Sequence, residues 1–127
     1  MKRIYILALL GMLALTACAA PDKGFTDIST ADLQVMLETK DFTLVNVHIP
    51  FEGNIPGTDE FVPFNEISQN LGQLPADKDA KIVLYCRSGN MSETAAKELV
   101  GLGYTNVFEL DGGYNGWKAA GLPFGGY

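Results

Sequence analysis

The chain has 127 residues, fifteen of them acidic and nine basic, so its formal net charge is −6. Its length fits one small domain, and its acidic balance argues against nucleic-acid binding and against electrostatic attachment to a membrane surface. One histidine in the whole chain does not build a metal site without partners.

The N-terminus has the pattern of a secretory signal peptide. Lys2 and Arg3 form a short positive region, and residues 4–17, IYILALLGMLALTA, then run without a charge. This run is shorter than the roughly 20 residues that cross a bilayer as a helix. A charged start, a short apolar stretch and small residues at its end are typical of a segment removed on export. We therefore predict a signal peptide over residues 1–17.

The residues LTAC at 15–18 resemble the lipoprotein box of bacterial lipoproteins, in which the cysteine is lipidated and becomes the new N-terminus. This resemblance predicts lipidation of Cys18 and a lipid-anchored protein of the cell envelope. The outer membrane, facing the periplasm, is preferred because Ala19 offers no acidic retention signal. Two alternatives stay open: cleavage at the A-x-A site of residues 17–19, which would release a soluble periplasmic protein, or a buried or disulfide-bonded Cys18.

Removal of residues 1–17 would leave 110 residues with seven basic and fifteen acidic side chains, a formal charge of −8. If Cys18 is acylated, Cys86 is the one free thiol that remains. An odd thiol in an exported protein is a candidate reactive group, because such proteins otherwise pair their cysteines.

The mature chain alternates between strand and helix patterns after a predicted tether over residues 18–24, and the domain is predicted over residues 25–127. Ser29 is a plausible helix N-cap. The predicted strands cover 25–28, 42–47, 81–85 and 106–110; the predicted helices cover 29–40, 65–74, 92–103 and 112–121; and a long loop covers 49–61. This alternation predicts an α/β fold with a mostly parallel central sheet flanked by helices on both faces.

The stretch LYCRSGNMS, residues 84–92, places Cys86 directly after the most apolar strand and before a helix. Sites in parallel sheets lie beyond the carboxyl ends of the strands. A tight turn after Cys86, which Gly89 permits, would aim backbone N–H groups inward and favour the thiolate, the nucleophilic form. Arg87 adds a cation for an anionic substrate. An inert buried cysteine is the alternative interpretation.

The residues YCRSGNMS resemble the active-site loop of the rhodanese family, the sulfurtransferases. Two further blocks match in the same order: residues 44–58, LVNVHIPFEGNIPGT, resemble that family's second strand and the loop after it, and residues 95–123 resemble its C-terminal signature. The resemblance as a whole covers roughly residues 25–124, which is nearly all of the predicted domain.

The resemblance implies a mechanism in which Cys86 is the catalytic nucleophile. Its thiolate takes the outer sulfur of thiosulfate or another small anionic sulfane donor, and a thiol or cyanide acceptor then removes that sulfur. A protein thiol is one such acceptor. The implied substrate-binding residues are Arg87, Ser88, Gly89, Asn90 and Met91. The resemblance implies no metal and no organic cofactor.

Other functions for such a loop stay open. Cysteine phosphatases and arsenate reductases also use a cysteine in an anion-binding loop, commonly with an arginine six positions later, but here that position is Ser92. A binding module without catalysis would have little reason to keep Cys86 and its glycine-containing loop. A carrier that passes its persulfide to one partner protein is not separated from an enzyme by the sequence.

The chain departs from the rhodanese pattern at four positions near the loop. Asn46 and His48 stand in a segment that is often DVR, and Asn54 replaces the usual histidine of HIPGA. Met91 ends the loop where a charged or hydroxyl residue is common. We expect a narrower and more apolar rim, which favours a bulkier or less anionic donor than thiosulfate.

Overall fold

The computed structural model describes residues 22–126, which form an α/β fold around a five-stranded sheet. The strands are β1 (Phe25–Ile28), β2 (Thr43–Asn46), β3 (Glu60–Phe61), β4 (Ile82–Tyr85) and β5 (Val107–Leu110). The helices are α1 (Thr30–Glu38), α2 (Asn90–Gly101) and α3 (Gly113–Ala119), with a 3-10 helix at Ser68–Gln73. The strand order is β1-β5-β4-β2-β3, and all four strand pairs are parallel.

The interpretation of the N-terminus concerns residues that lie outside the described range. These are the predicted signal peptide over 1–17, the predicted lipid acceptor Cys18, and residues 19–21 of the tether. From residue 22 to residue 126, no helix is both long enough and apolar enough to cross a membrane.

The start of α1 is the predicted one. Ser29 is its N-cap, and the Ser29 hydroxyl oxygen accepts a hydrogen bond from the Asp32 N–H at 3.0 Å. The Asp32 carboxylate in turn accepts from the Ser29 N–H at 3.0 Å, which completes a capping box. This backbone hydrogen bond holds the pKa of Asp32 below its ordinary value.

Two elements differ from the sequence prediction. Glu60–Phe61, predicted as loop, forms β3 against Val45 and Asn46 of β2. So short a strand has no periodicity of its own and forms because the edge of β2 is there to pair with it. The helix predicted over 65–74 is a 3-10 helix with non-helical backbone at Asn70. No side chain within Ser68–Gln73 is buried, so packing does not hold this segment in an α-helix.

Apolar side chains pack on both faces of the sheet, as predicted. On one face α2 covers the sheet through Ala95, Ala96 and Leu99. On the other face α1 and α3 contribute Leu33, Tyr114 and Trp117. The four residues of β4 are all buried and alternate between these two cores, which explains the continuous apolar run that predicted a central strand.

Candidate active site

Cys86 lies at the carboxyl edge of the sheet, directly after β4, the strand between β2 and β5. Its side chain is packed into the core cluster on the α2 face, and the residue is 1% exposed. The thiol is therefore fixed by the most buried strand of the domain and is shielded from bulk water.

The loop after Cys86 aims a backbone donor at the sulfur. Gly89 is the N-cap of α2 and has a φ of 115°, a conformation that other residues rarely adopt. In this conformation the Gly89 N–H donates to Cys86 Sγ at 3.0 Å. The amide hydrogen bond and the positive end of the α2 dipole both favour negative charge on the sulfur.

The five predicted substrate-binding residues all lie in or directly after this loop, but they differ in solvent exposure. Arg87, Ser88 and Asn90 are exposed, whereas Gly89 and Met91 are partly buried. Because α2 begins at Asn90 rather than at the predicted residue 92, Asn90 and Met91 belong to its first turn. Met91 packs against the core cluster that contains Cys86.

The N-terminus of α3 supports the loop from behind through backbone contacts. The Tyr114 N–H donates to the Cys86 carbonyl oxygen at 2.9 Å, and the Asn115 N–H donates to that of Arg87 at 3.0 Å. Gly113, with a φ of 54°, lies so close that a Cβ atom there would overlap the Cys86 carbonyl oxygen. The loop is therefore held between the start of α2 and the start of α3.

Ser92 and Glu109 line the inner side of Cys86, and sequence reasoning gave neither of them a role. The Ser92 Oγ atom lies 3.4 Å from Cys86 Sγ and donates to Glu109 Oε1 at 2.6 Å. Ser92 is 0% exposed and Glu109 is 4% exposed. Burial raises the pKa of Glu109 to about 7, although the Ser92 hydroxyl opposes this shift. The signal in the sequence was a glutamate inside the otherwise apolar strand VFEL.

A charged cluster lies on the outer side of the loop, centred on Glu52. Its carboxylate accepts from the Tyr114 hydroxyl at 2.5 Å and lies 3.5 Å from Arg87 Nη1 and 3.0 Å from His48 Nε2. The Tyr114 hydrogen bond, helped by Arg87, holds the pKa of Glu52 below its ordinary value. Burial raises the pKa of Tyr114. Arg87 is 55% exposed but is paired with this carboxylate, so its positive charge is partly neutralised.

Two of the departures from the rhodanese pattern contact each other. Asn46 Nδ2 donates to Asn54 Oδ1 at 3.0 Å and to the Gly53 carbonyl oxygen at 2.9 Å. Asn46 Oδ1 accepts from the His48 N–H at 3.0 Å, and the Tyr85 hydroxyl donates to Asn54 Oδ1 at 3.2 Å. This buried amide pair ties the loop that follows β2 to the sheet, next to the cluster around Glu52.

The arrangement is suited to nucleophilic chemistry at sulfur. It combines a fixed thiol, an amide that stabilises the thiolate, and a hydroxyl and a carboxyl group that can hold a proton. In the part of the chain that the structure describes, no three His, Cys, Asp or Glu side chains are grouped so as to hold a metal ion.

Known proteins with similar sequence and structure share this architecture. The model of the Rhodanese-like domain family matches residues 29–120, from the N-cap of α1 to the C-cap of α3. A sulfurtransferase of Allochromatium vinosum is 37% identical over 93 residues, which cover 71% of this chain and 84% of the relative. The thiosulfate sulfurtransferase GlpE of Pseudoalteromonas translucida is 30% identical over 102 residues, which cover 76% and 92%. The crystal structure of a rhodanese-related protein from Thermoplasma volcanium has a TM-score of 0.66 and 28% identity, covering 78% and 96%.

Proposed function

We propose that this chain, which belongs to the rhodanese-like domain family, is a sulfurtransferase that carries sulfane sulfur on Cys86. The observation that carries the proposal is the Gly89 N–H donating at 3.0 Å to a thiol fixed at the carboxyl edge of the sheet. An inert core cysteine needs no such donor, whereas a nucleophilic thiolate is stabilised by one. The relatives named sulfurtransferase support the same role.

The reaction has two half-reactions that share one intermediate. In the first, the Cys86 thiolate attacks the outer sulfur of thiosulfate, a new S–S bond forms, and the old one breaks with its electron pair leaving on sulfite. In the second, cyanide or a thiol attacks the outer sulfur of the Cys86 persulfide, and the bond electrons return to Cys86 as thiolate. Atoms and electrons balance without a metal or an organic cofactor. The Gly89 amide stabilises the sulfur anion at the beginning and at the end of the cycle.

The charges on the outer side of the Cys86 loop bear on the choice of donor. An anionic donor would meet Arg87, the predicted attracting cation, but Glu52 lies 3.5 Å from it and offsets its charge. Ser88 and Asn90 offer exposed polar groups, and Met91 adds an apolar one. This mixture is consistent with thiosulfate and with a less highly charged sulfane donor, such as a polysulfide.

The phosphatase alternative is disfavoured by Ser92, the residue six positions after Cys86. A phosphatase loop would clamp the phosphoryl group there with arginine, but Ser92 is buried and hydrogen-bonded to Glu109. The Glu109 carboxyl group would also repel a phosphate dianion whenever it is ionised.

Steady-state kinetics test the proposed function. With thiosulfate and cyanide varied together, we expect double-reciprocal plots with parallel lines, because sulfite leaves before cyanide reacts. Intersecting lines would contradict the two separate half-reactions. If Cys86 forms a persulfide but its sulfur is not transferred to cyanide or small thiols, the protein is a carrier for a protein acceptor. If the chain takes up no sulfur, it is a binding module.

We propose further that the protein is anchored in the cell envelope by a lipid on Cys18. The support is the sequence of residues 1–18, with the soluble periplasmic form as the alternative. We expect Cys18→Ala to move the protein out of the membrane fraction, into soluble or unprocessed forms, as measured by fractionation and immunoblotting. An unchanged distribution between membrane and soluble fractions would contradict lipidation.

A further inference from the structure

Glu109 is a buried carboxylic acid in an otherwise apolar strand. It lies on the interior strand β5, is 4% exposed, and its backbone already pairs with Asp27 of β1 and Leu84 of β4. Burying an ionisable group is costly unless it is paired with an opposite charge, and the Glu109 carboxylate accepts a hydrogen bond from the neutral Ser92 hydroxyl. This hydroxyl leads directly to Cys86 Sγ, 3.4 Å away.

The surroundings of Glu109 raise the pKa of its carboxyl group toward neutral pH. Burial raises its pKa to about 7, and the Asp27 carboxylate, which lies within hydrogen-bonding reach of Glu109, and the charge of Asp111 act in the same direction. Asp27 is in turn paired with Lys23 at 2.6 Å. On the side of α2, the Glu109 carboxylate accepts from the Ser92 hydroxyl and lies near the Gly89 backbone. The Ser92 hydroxyl in turn contacts the Cys86 thiol.

The Ser92 hydroxyl also lies 3.1 Å from the Gly89 carbonyl oxygen, a second acceptor for its one proton. Along Cys86–Ser92–Glu109 itself, the hydrogen bonds have two self-consistent directions. With a thiol and a carboxylate, the S–H donates to Ser92 Oγ and the Ser92 hydroxyl donates to Glu109. With a thiolate and a carboxylic acid, the Glu109 O–H donates to Ser92 Oγ and the Ser92 hydroxyl donates to the sulfur anion. Both forms have the same net charge and differ by one proton moved along two hydrogen bonds.

We propose that Glu109 is a positioning residue for the sulfur chemistry, which accepts the proton of Cys86 through the Ser92 hydroxyl and so generates the thiolate. This inference rests on the proposed function. The Cys86 S–H bond breaks as Ser92 Oγ gains that proton, and the original Ser92 proton passes to Glu109 Oε1. The products are a thiolate, an intact hydroxyl and a carboxylic acid, with no co-reactant required.

This relay makes the pH dependence of the thiolate unusual. Loss of the first proton from the coupled pair, near the pKa of Glu109 at about 7, already yields a fraction of thiolate because the remaining proton is shared. Loss of the second proton completes the thiolate at higher pH. If the proton is not shared between the two groups, the thiolate forms in a single step. The negative charge of the ionised carboxylate then only moves that step to higher pH.

The test is the ultraviolet absorbance of the thiolate as a function of pH, recorded on the full chain as a difference from its Cys86→Ser variant. The subtraction removes any signal from Cys18. We expect two steps, the first near pH 7, in the unsubstituted protein. Glu109→Gln should give one step at lower pH than the final step of the unsubstituted protein. Ser92→Ala should remove the first step while keeping the carboxylate.

The matched control is Glu93→Gln, the same substitution at an exposed position in the first turn of α2, which should keep both steps. A single step with one midpoint in the unsubstituted protein, Glu109→Gln and Ser92→Ala would overturn the proposal. If Glu109→Gln does not fold, as circular dichroism shows, Ser92→Ala decides: a first step retained in that variant overturns the relay.

No sulfur donor is present in this titration, so its result is independent of the proposed function. Two steps in a protein that takes up no sulfur would support the proton relay and refute the sulfurtransferase. One step in a protein that takes up sulfur would refute the proton relay and support the sulfurtransferase.

Discussion

Replacement of Cys86 by serine is expected to abolish sulfur transfer, with a loss on the order of a thousand-fold or more, while the fold is retained. The serine hydroxyl has nearly the volume of the thiol and accepts the Gly89 N–H in the same way. It does not ionise in the accessible pH range and forms no persulfide, so both half-reactions lose their nucleophile.

This prediction is measured as the initial rate with thiosulfate and cyanide, alongside the midpoint of thermal unfolding. A low rate combined with an unchanged unfolding midpoint separates lost chemistry from a lost fold. Transfer that persists in a folded Cys86→Ser protein would show that another group carries the sulfur.

Gly113→Ala is expected to destabilise the domain by about 2 to 5 kcal/mol and to disrupt the loop that holds Cys86. A Cβ at this position would overlap the backbone of Cys86 and Arg87, which is rigid and cannot move aside as a flexible side chain would. The positive φ of 54° adds the usual cost for an L-residue.

Gly112→Ala is the matched control, because it carries the cost of a positive φ without the steric overlap. Gly112 has a φ of 79°, and apart from its neighbours along the chain a Cβ there would meet no atom of the described residues within 4 Å. We expect it to lower the free energy of unfolding by about 1 to 2 kcal/mol and to retain sulfur transfer. Urea unfolding of both variants measures the difference. Equal destabilisation would contradict the close approach of α3 to the Cys86 loop.

The sequence predicted the features that depend on local pattern. The apolar run of β4 indicated a strand buried on both faces, Ser29 indicated the start of α1, and the residues after Cys86 indicated a turn into a helix. Strand β3 was missed because its two residues are ordered by pairing with β2 and have no pattern of their own.

The polar contacts around the thiol were beyond sequence reasoning because they join residues that are distant along the chain. Ser92 and Glu109 are 17 residues apart and meet because α2 packs beside β5. Glu52 and Tyr114 are 62 residues apart and meet on the outer side of the Cys86 loop. Arg87 was expected to attract substrate, and its partial neutralisation by Glu52 depends on the same long-range contact.

The central claim, a persulfide on Cys86, is tested most directly by the intact mass of the protein after incubation with thiosulfate, with and without cyanide. We expect a gain of one sulfur atom, located on the peptide that contains Cys86, which disappears when cyanide is added. No gain with thiosulfate or with a polysulfide donor, or a gain located on any other residue, would contradict it.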